Sequence, residues 1–434
     1  MAEPIPDESL EALLAPRLRD ARGQPRRVTL AVSGGSDSTA LMVLVARWRA
    51  ACGWPAAPFD VAVVDHQLRT GSTAEAGRVA AAARGLGFPA TVLTWSDPAS
   101  RGVQQAARAA RYELLRRHVR AAGGEAVVTG HTQDDQAETV LMRLARGSGV
   151  DGLSAMQPET DIDGLRVLRP LLGVPKERLV ATLSAAGVTW IEDPSNESRS
   201  FERVRVRMAQ PVLADLGLTT EAVAGAARRL GRARHALDWM AARVLADRAA
   251  IAVSPVGYAR VDRAVLAAWP DDIRLRVLVR LLAAVGGRSP VPLAAAEALA
   301  EAAFAPEFAG RTLSGCLIAP RGPAALLIVR ESGRRRALPA PVQLGAGVVF
   351  DHRFELHLAE GAETERLTVA AAGADGARRA RALGAGDPAA ALRTMPGVYR
   401  DGVLVALPAL EDAAARGIGC HAVFRGVTLQ VAAG

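Results

Sequence analysis

The stretch that most restricts how this chain can fold is a short apolar strand that runs into a Gly-Ser loop and on into a helix. Val28-Thr29-Leu30-Ala31-Val32 reads as a buried strand, Ser33-Gly34-Gly35-Ser36-Asp37-Ser38-Thr39 as the loop, and Ser38 to Trp48 as the helix. Two adjacent glycines let the backbone turn sharply and come close to an anion. The helix start beyond them supplies unpaired N–H groups and the positive end of a dipole. Ser33, Ser36, Ser38 and Thr39 add hydroxyl donors. Asp37 does not suit a bare phosphate cradle. It does suit one that includes magnesium, a hard cation that takes carboxylate oxygen and bridges to phosphate. No G-x-x-x-x-G-K-[ST] occurs and the loop does not fit G-x-G-x-x-G, which excludes a Walker-type site. A Gly-rich turn with a polar N-cap is also common as plain structure. Alone, the loop marks an anion site and no reaction.

The surrounding pattern sets the fold class. Val61-Ala62-Val63-Val64, Thr91-Val92-Leu93 and Ala126-Val127-Val128 read as further strands, separated by helical stretches at Ala74 to Leu86 and Gln104 to Ala121. Short strands alternating with helices predict βαβ units in an α/β, doubly wound parallel sheet. Such sheets bind ligands beyond the carboxyl ends of their strands. A helix is expected over Leu179 to Ala186, and an Ala/Leu/Arg-rich helical region from about Thr219 to Ala303. Past Ala340 short apolar runs with many glycines predict a small, mostly β C-terminal domain. The expected segments are 1–210, the α/β domain that carries the loop, 211–335, mainly helical, and 340–434, a small C-terminal domain.

Composition excludes some classes of function. Apolar runs such as Ala40 to Ala46 fall well short of the roughly 20 residues of a membrane helix. The acidic, Pro-rich start is not a secretory signal, so a cytoplasmic location is expected. Cys52, Cys316 and Cys420 are far apart and outside any Cys-x-x-Cys, which suggests neither disulfides nor zinc. Net charge is +8, and every basic side chain except Lys176 and the histidines is arginine. Arginine grips phosphate through a planar fork, so a polyanionic partner fits the sign.

Three further groups of residues share the strand ends with the loop. Asp65 and His66, in Val64-Asp65-His66-Gln67-Leu68-Arg69, follow the second strand. Gly130-His131-Thr132-Gln133-Asp134-Asp135-Gln136-Ala137-Glu138 follows the strand at Ala126 to Val128. Thr132 and the acids there also make a good helix start. Yet an imidazole and three carboxylates, with His131/Asp135 and Asp134/Glu138 four apart, exceed what capping needs. Arg108 and Arg111 share a face of the helix Gln104 to Ala121.

Together these blocks resemble the tRNA(Ile)-lysidine synthase family of PP-loop ATP pyrophosphatases. The resemblance runs through Ser33 to Ser38, Val64 to Arg69, Ala107 to Tyr112, Gly130 to Met156, Arg169-Pro170-Leu171-Leu172 and Asp193-Pro194-Ser195-Asn196. More weakly it includes Arg311 to Cys316. Family members often have Asn and Glu where this chain has Gly102 and Gln104.

The resemblance implies ATP and Mg2+ as cofactors, and CAU-anticodon tRNA(Ile) and free L-lysine as substrates. ATP adenylates the C2 carbonyl oxygen of the wobble cytidine, the lysine ε-amine attacks C2, and AMP leaves. Ser33, Gly34, Gly35, Ser36, Asp37 and Ser38 would hold the pyrophosphate. Asp37 with Asp134 or Asp135 would carry magnesium, and Arg108 or Arg111 would neutralise charge at the α-phosphate. Deprotonating a lysine of pKa near 10.4 at pH 7 costs about 4.6 kcal/mol. His131 or a carboxylate among Asp134, Asp135 and Glu138 is the expected acceptor. Arg199, Arg203, Arg205 and Arg207 around Phe201, with Arg228, Arg229, Arg232 and Arg234, are candidate tRNA-phosphate contacts. The alternative is another PP-loop enzyme, such as a cytidine thiolase, which would want clustered cysteines. A homodimer is left open.

Overall fold

The computed structural model describes residues 2–55, 58–67, 71–96, 103–192, 202–287, 291–332, 341–344, 347–359, 362, 365–410 and 412–427, without the side chains of 103–105 and 427. The chain divides into two compact units, Met1–Arg234 and His235–Gly434.

In the first unit the order is α1 (Leu10–Leu18), β1 (Val28–Ala31), α2 (Ser36–Ala51), β2 (Phe59–Asp65), α3 (Ser72–Gly85), β3 (Ala90–Thr94), α4 (Val103–Ala121) and β4 (Ala126–Thr129). Then come α5 (Gln133–Leu144), α6 (Val150–Leu153), β5 (Glu159–Ile162), β6 (Leu165–Leu168), α7 (Lys176–Ala185) and α8 (Glu202–Asp215). The long α9 (Thr220–Ala246) begins in this unit. Six strands form one sheet in the order β3-β2-β1-β4-β6-β5. All pair in parallel except β5, which runs antiparallel to β6 at the edge. The parallel doubly wound sheet expected from the sequence is therefore present.

β1 and β4 are buried at every position, as central strands with both faces covered must be. On one face Leu30, Val61 and Val128 pack against Leu41 and Leu44 of α2, Val79 of α3 and Leu179 and Leu183 of α7. On the other, Ala31, Ala62 and Val127 meet Leu115 and Val119 of α4. The period-two alternation along β1 sorts its side chains between these layers. Each fully buried leucine contributes about 1.5–3 kcal/mol. α2 and α4 thus lie on opposite sides of β1. Strand order turns at β1, with β2 on one flank and β4 on the other, and a crevice opens beyond their carboxyl ends.

The second unit holds β7 (Ile251–Ser254), β8 (Tyr258–Asp262), α10 (Arg263–Ala267), α11 (Asp271–Gly286), α12 (Leu293–Ala302), β9 (Arg311–Leu313), β10 (Cys316–Arg321) and β11 (Ala325–Arg330). These strands form an antiparallel sheet in the order β7-β8-β11-β10-β9. It continues with β12 (Val342–Gln343), β13 (Val349–Phe350), β14 (Phe354–Leu358), β15 (Leu367–Ala371), α13 (Gly373–Ala382), α14 (Ala389–Thr394), β16 (Pro396–Arg400), β17 (Val403–Ala406), α15 (Ala413–Ile418) and β18 (Cys420–Phe424). The later strands build the small antiparallel sheets β12-β15-β16-β17 and β13-β14-β18, the strand-rich C-terminal part that was expected. At its centre the Arg330 and Arg353 guanidiniums both pair with the Asp351 carboxylate, Arg353 fully buried. Among the described residues no helix is long and apolar enough to cross a membrane.

Candidate active site

The loop 33–38 leaves β1 and is folded back by its own hydroxyls. Ser38 Oγ accepts from Ser33 N–H at 3.2 Å and donates to the Gly35 carbonyl at 3.1 Å. Thr39 Oγ1 donates to the Gly34 carbonyl. Gly34 has φ +93, and a Cβ there would lie 2.7 Å from Val79 and 2.9 Å from Ile191, so only glycine fits. Ile191 also donates its N–H to the Gly34 carbonyl at 2.8 Å. Gly35, at the N-cap of α2, makes no side-chain capping bond. The first-turn N–H groups are thereby left to an anion.

The acidic cluster follows β4. Thr132 caps α5 through a reciprocal capping box with Asp135, whose Oδ2 accepts from Thr132 N–H at 2.9 Å. Glu138, one turn on, is 1% exposed and pairs with Arg207. Arg203 approaches Asp135 at 3.5 Å. Both arginines come from α8, which packs on α5. Burial raises the Glu138 carboxyl against the pull of Arg207. Burial also raises Asp37, opposed by Lys176 and assisted by the negative charge of Asp135. His131 Nδ1 lies 2.8 Å from Thr129 Oγ1. Burial drives this imidazole down to about 4, with Asp135 opposing and the cations Arg169, Arg111 and Arg203 adding to the shift. It is neutral at pH 7.

Asp65, at the end of β2, accepts from Gln67 N–H, Ser72 and Thr73 at 3.0, 2.8 and 2.6 Å. Burial would raise its pKa, but these donors outweigh it and hold the carboxyl below its usual value. The residue anchors the start of α3. His66, lowered by burial and by Arg111, shares a small recess with Ser33 and Arg111. The two arginines of α4 part company. Arg111 lines the cleft, whereas Arg108 is exposed and stacks over Tyr112 with 5.2 Å to the ring centroid.

One cleft of about 630 Å³ gathers these groups. Ser33, Gly35, Ser36, Asp37 and Ser38 line it from the loop, Arg111 from α4, His131 and Asp135 from beyond β4, and Arg203 and Arg207 from α8. A flanking recess of about 200 Å³ adds Asp134 and Glu138 and shares Asp37, Asp135 and Lys176. Lys176, at the start of α7, has its Nζ 3.3 Å from Asp37 Oδ2 and its backbone N–H on Asp134 Oδ2 at 2.8 Å. Among the described residues no cluster of three or more His, Cys, Asp or Glu is arranged for a metal. Magnesium needs none, because it is commonly held by one or two carboxylates plus substrate phosphate. The burial and mutual repulsion of Asp37 and Asp135 make that pair fit a cation.

A PP-loop domain family matches residues 6–212, the segment that carries every group just described. A tRNA(Ile)-lysidine synthase of Methylobacterium sp. (strain 4-46) is 45% identical over 349 residues, covering 77% of this chain and 97% of that one. One from Rhodopseudomonas palustris is 43% identical over 76% of this chain and 97% of the relative. One from Ruegeria pomeroyi is 38% identical, covering 88% of each. The chain belongs to the tRNA(Ile)-lysidine synthase family. It is therefore an ATP-using ligase of tRNA processing.

The structure gathers most of the cleft residues that the sequence of this lysidine synthase family member brought forward. Asp37, Arg111, His131 and Asp135 line the main cleft, and Asp134 and Glu138 the recess beside it; Arg108 stands apart. Arg69, Gly102, Asp193 to Asn196, Arg199 and Phe201 lie outside the described residues, as does the Gln104 side chain. Arg203 and Arg207, expected on tRNA phosphates, instead face the acids of α5. Their spacing of four on one helix was the available signal. Lys176 was missed, because nothing local in the sequence ties it to a loop so far upstream.

Proposed function

We propose that this lysidine synthase uses ATP to adenylate the C2 carbonyl oxygen of the wobble cytidine in CAU-anticodon tRNA(Ile), and then joins free L-lysine to C2, in the cytoplasm. In the first step the C2 oxygen bonds to the α-phosphorus and pyrophosphate leaves. In the second the lysine ε-nitrogen bonds to C2, the C2–O bond to AMP breaks, and the amine releases a proton. The carrying observation is that the Ser33–Ser38 loop and the carboxylates of Asp135 and Glu138 open onto adjoining spaces.

The loop hydroxyls and the first turn of α2 suit the pyrophosphate. Arg111, rather than the exposed Arg108, suits the charge that grows on the α-phosphate. Asp37 with Asp135 would hold Mg2+, which would screen phosphate charge. Asp134 lines the flanking recess but not the main cleft, whereas Asp135 opens onto both spaces with Asp37, which makes Asp134 the weaker choice. The recess around Glu138 suits the cationic end of lysine. Glu138, raised by burial, is a stronger proton acceptor than His131, which burial lowers to about 4. α9 buries Val223 and Ala227 against Ala137 and Val140 of α5 and leaves Arg228, Arg229 and Arg232 exposed, which suits tRNA phosphates.

The rival thiolase reading lacks support, because none of the three cysteines lines the cleft. Incubation with CAU-anticodon tRNA, ATP-Mg and labelled lysine tests the proposal. Label entering the tRNA with equal release of AMP is expected. AMP release without label in the tRNA would overturn the lysine step.

A further inference from the structure

The loop 33–38 contains no cation and one acid, yet the ligand proposed for it is a polyanion. Its positive charge must come from elsewhere in the cleft. Arg203 and Arg207 are engaged by Asp135 and Glu138, and Arg111 stands on α4, across the sheet from α2. The cation set against the loop itself is Lys176, the sole lysine of the chain, 3.3 Å from Asp37.

The geometry of Lys176 is that of a fixed root with a free tip. Its backbone N–H is held by Asp134, and α7 is locked onto α2 through Leu179 and Leu183 in the core that contains Leu41 and Leu44. Its side chain is 45% exposed, and among the described residues a single bond to Asp37 holds the ammonium. A flexible four-carbon stem with three rotatable donors can exchange one oxygen partner for another without moving its helix.

We propose that Lys176 is a phosphate ligand of the bound nucleotide, its ammonium passing from Asp37 to the pyrophosphate half of ATP. Asp37 is then released to its other partners as the anion enters. This assignment rests on the cleft being the ATP site.

The test uses the fact that the chain has one ε-amine. The full-length protein is treated with an amine-acetylating reagent, and labelling of Lys176 and of the α-amine is read by peptide mass spectrometry. ATP binding is measured on the same sample by equilibrium dialysis. Saturating ATP-Mg or pyrophosphate-Mg is expected to slow labelling of Lys176 at least fivefold and leave the α-amine unchanged, while AMP gives no protection. Bound ATP with unprotected Lys176 overturns the assignment, as does protection by AMP but not by pyrophosphate. Failure of ATP to bind at all would instead overturn the reading of the cleft. In parallel, Lys176→Met is expected to weaken ATP binding by roughly tenfold or more, and Lys176→Arg to restore most of it. Equal affinity in all three proteins would also overturn the proposal.

Discussion

Gly130 lies so close to the backbone of Asp37 that a Cβ at position 130 would stand 2.8 Å from the Asp37 carbonyl oxygen. This contact brings the segment after β4 against the first turn of α2 and sets the acids of α5 beside the phosphate loop. Gly130→Ala must push the two apart, because the obstacle is backbone rather than a side-chain tip. A cost of about 1–3 kcal/mol in stability is expected. Pyrophosphate release should fall by at least roughly tenfold even where the variant is folded. Thermal denaturation and a pyrophosphate-release assay check both.

Arg111 and Arg108 should separate cleanly. Removing a preorganised cation from the reacting phosphate costs on the order of a hundredfold in rate, so Arg111→Met is predicted to lose about that much adenylation. Arg108→Ala removes only an exposed stack on Tyr112 and should stay within about threefold of the parent. Single-turnover formation of the tRNA adenylate measures each. A large loss in Arg108→Ala would reverse the assignment.

Glu138→Gln keeps the shape of a buried side chain and removes the charge that faces Arg207. Adenylation, read as pyrophosphate release, should remain within a few-fold of the parent. Transfer of lysine from preformed adenylate should drop by roughly a hundredfold or more. If both steps fell together, the role would be structural, through the loss of the Arg207 pair that holds α8 on α5.

His131 gives a pH signature. Its folded pKa of about 4 lies below the reference value of 6.5. Between these values the unfolded chain binds a proton that the folded chain refuses, so stability rises with pH across that window. The benefit is complete above pH 6.5 and is lost as pH falls through 4. At about 1.4 kcal/mol per unit the full effect is on the order of 3 kcal/mol. His131→Gln should therefore lose less Tm than the parent between pH 7 and pH 4.5, by roughly 5 °C. Identical losses would show that the imidazole titrates normally.

The doubly wound sheet and the phosphate loop were legible in the sequence because they are local. Alternation of apolar runs marks β1 to β4, and two glycines with four hydroxyl residues mark the turn between β1 and α2. The acidic start of α5 was legible for the same reason, through Thr132 and its N-terminal acids. Two things were hidden. Lys176 joins the site only because α7 packs back on α2, a contact set by buried leucines rather than by any motif. Arg203 and Arg207 read as candidate tRNA-phosphate contacts, and their pairing with Asp135 and Glu138 follows only from the packing of α8 on α5. Both depend on tertiary packing of helices whose charged faces look ordinary by themselves.

The hydrogen bond from Ile191 to Gly34, with the Ile191 side chain filling the space beside that glycine, has a consequence for synthesis. The first forty residues encode the loop but do not complete it. A nascent chain released before residue 191 has the glycines and hydroxyls without the strut that closes them. A fragment cut short upstream of Ile191 is therefore expected to bind ATP more weakly than the full chain, which ties completion of the nucleotide site to late synthesis of the PP-loop segment.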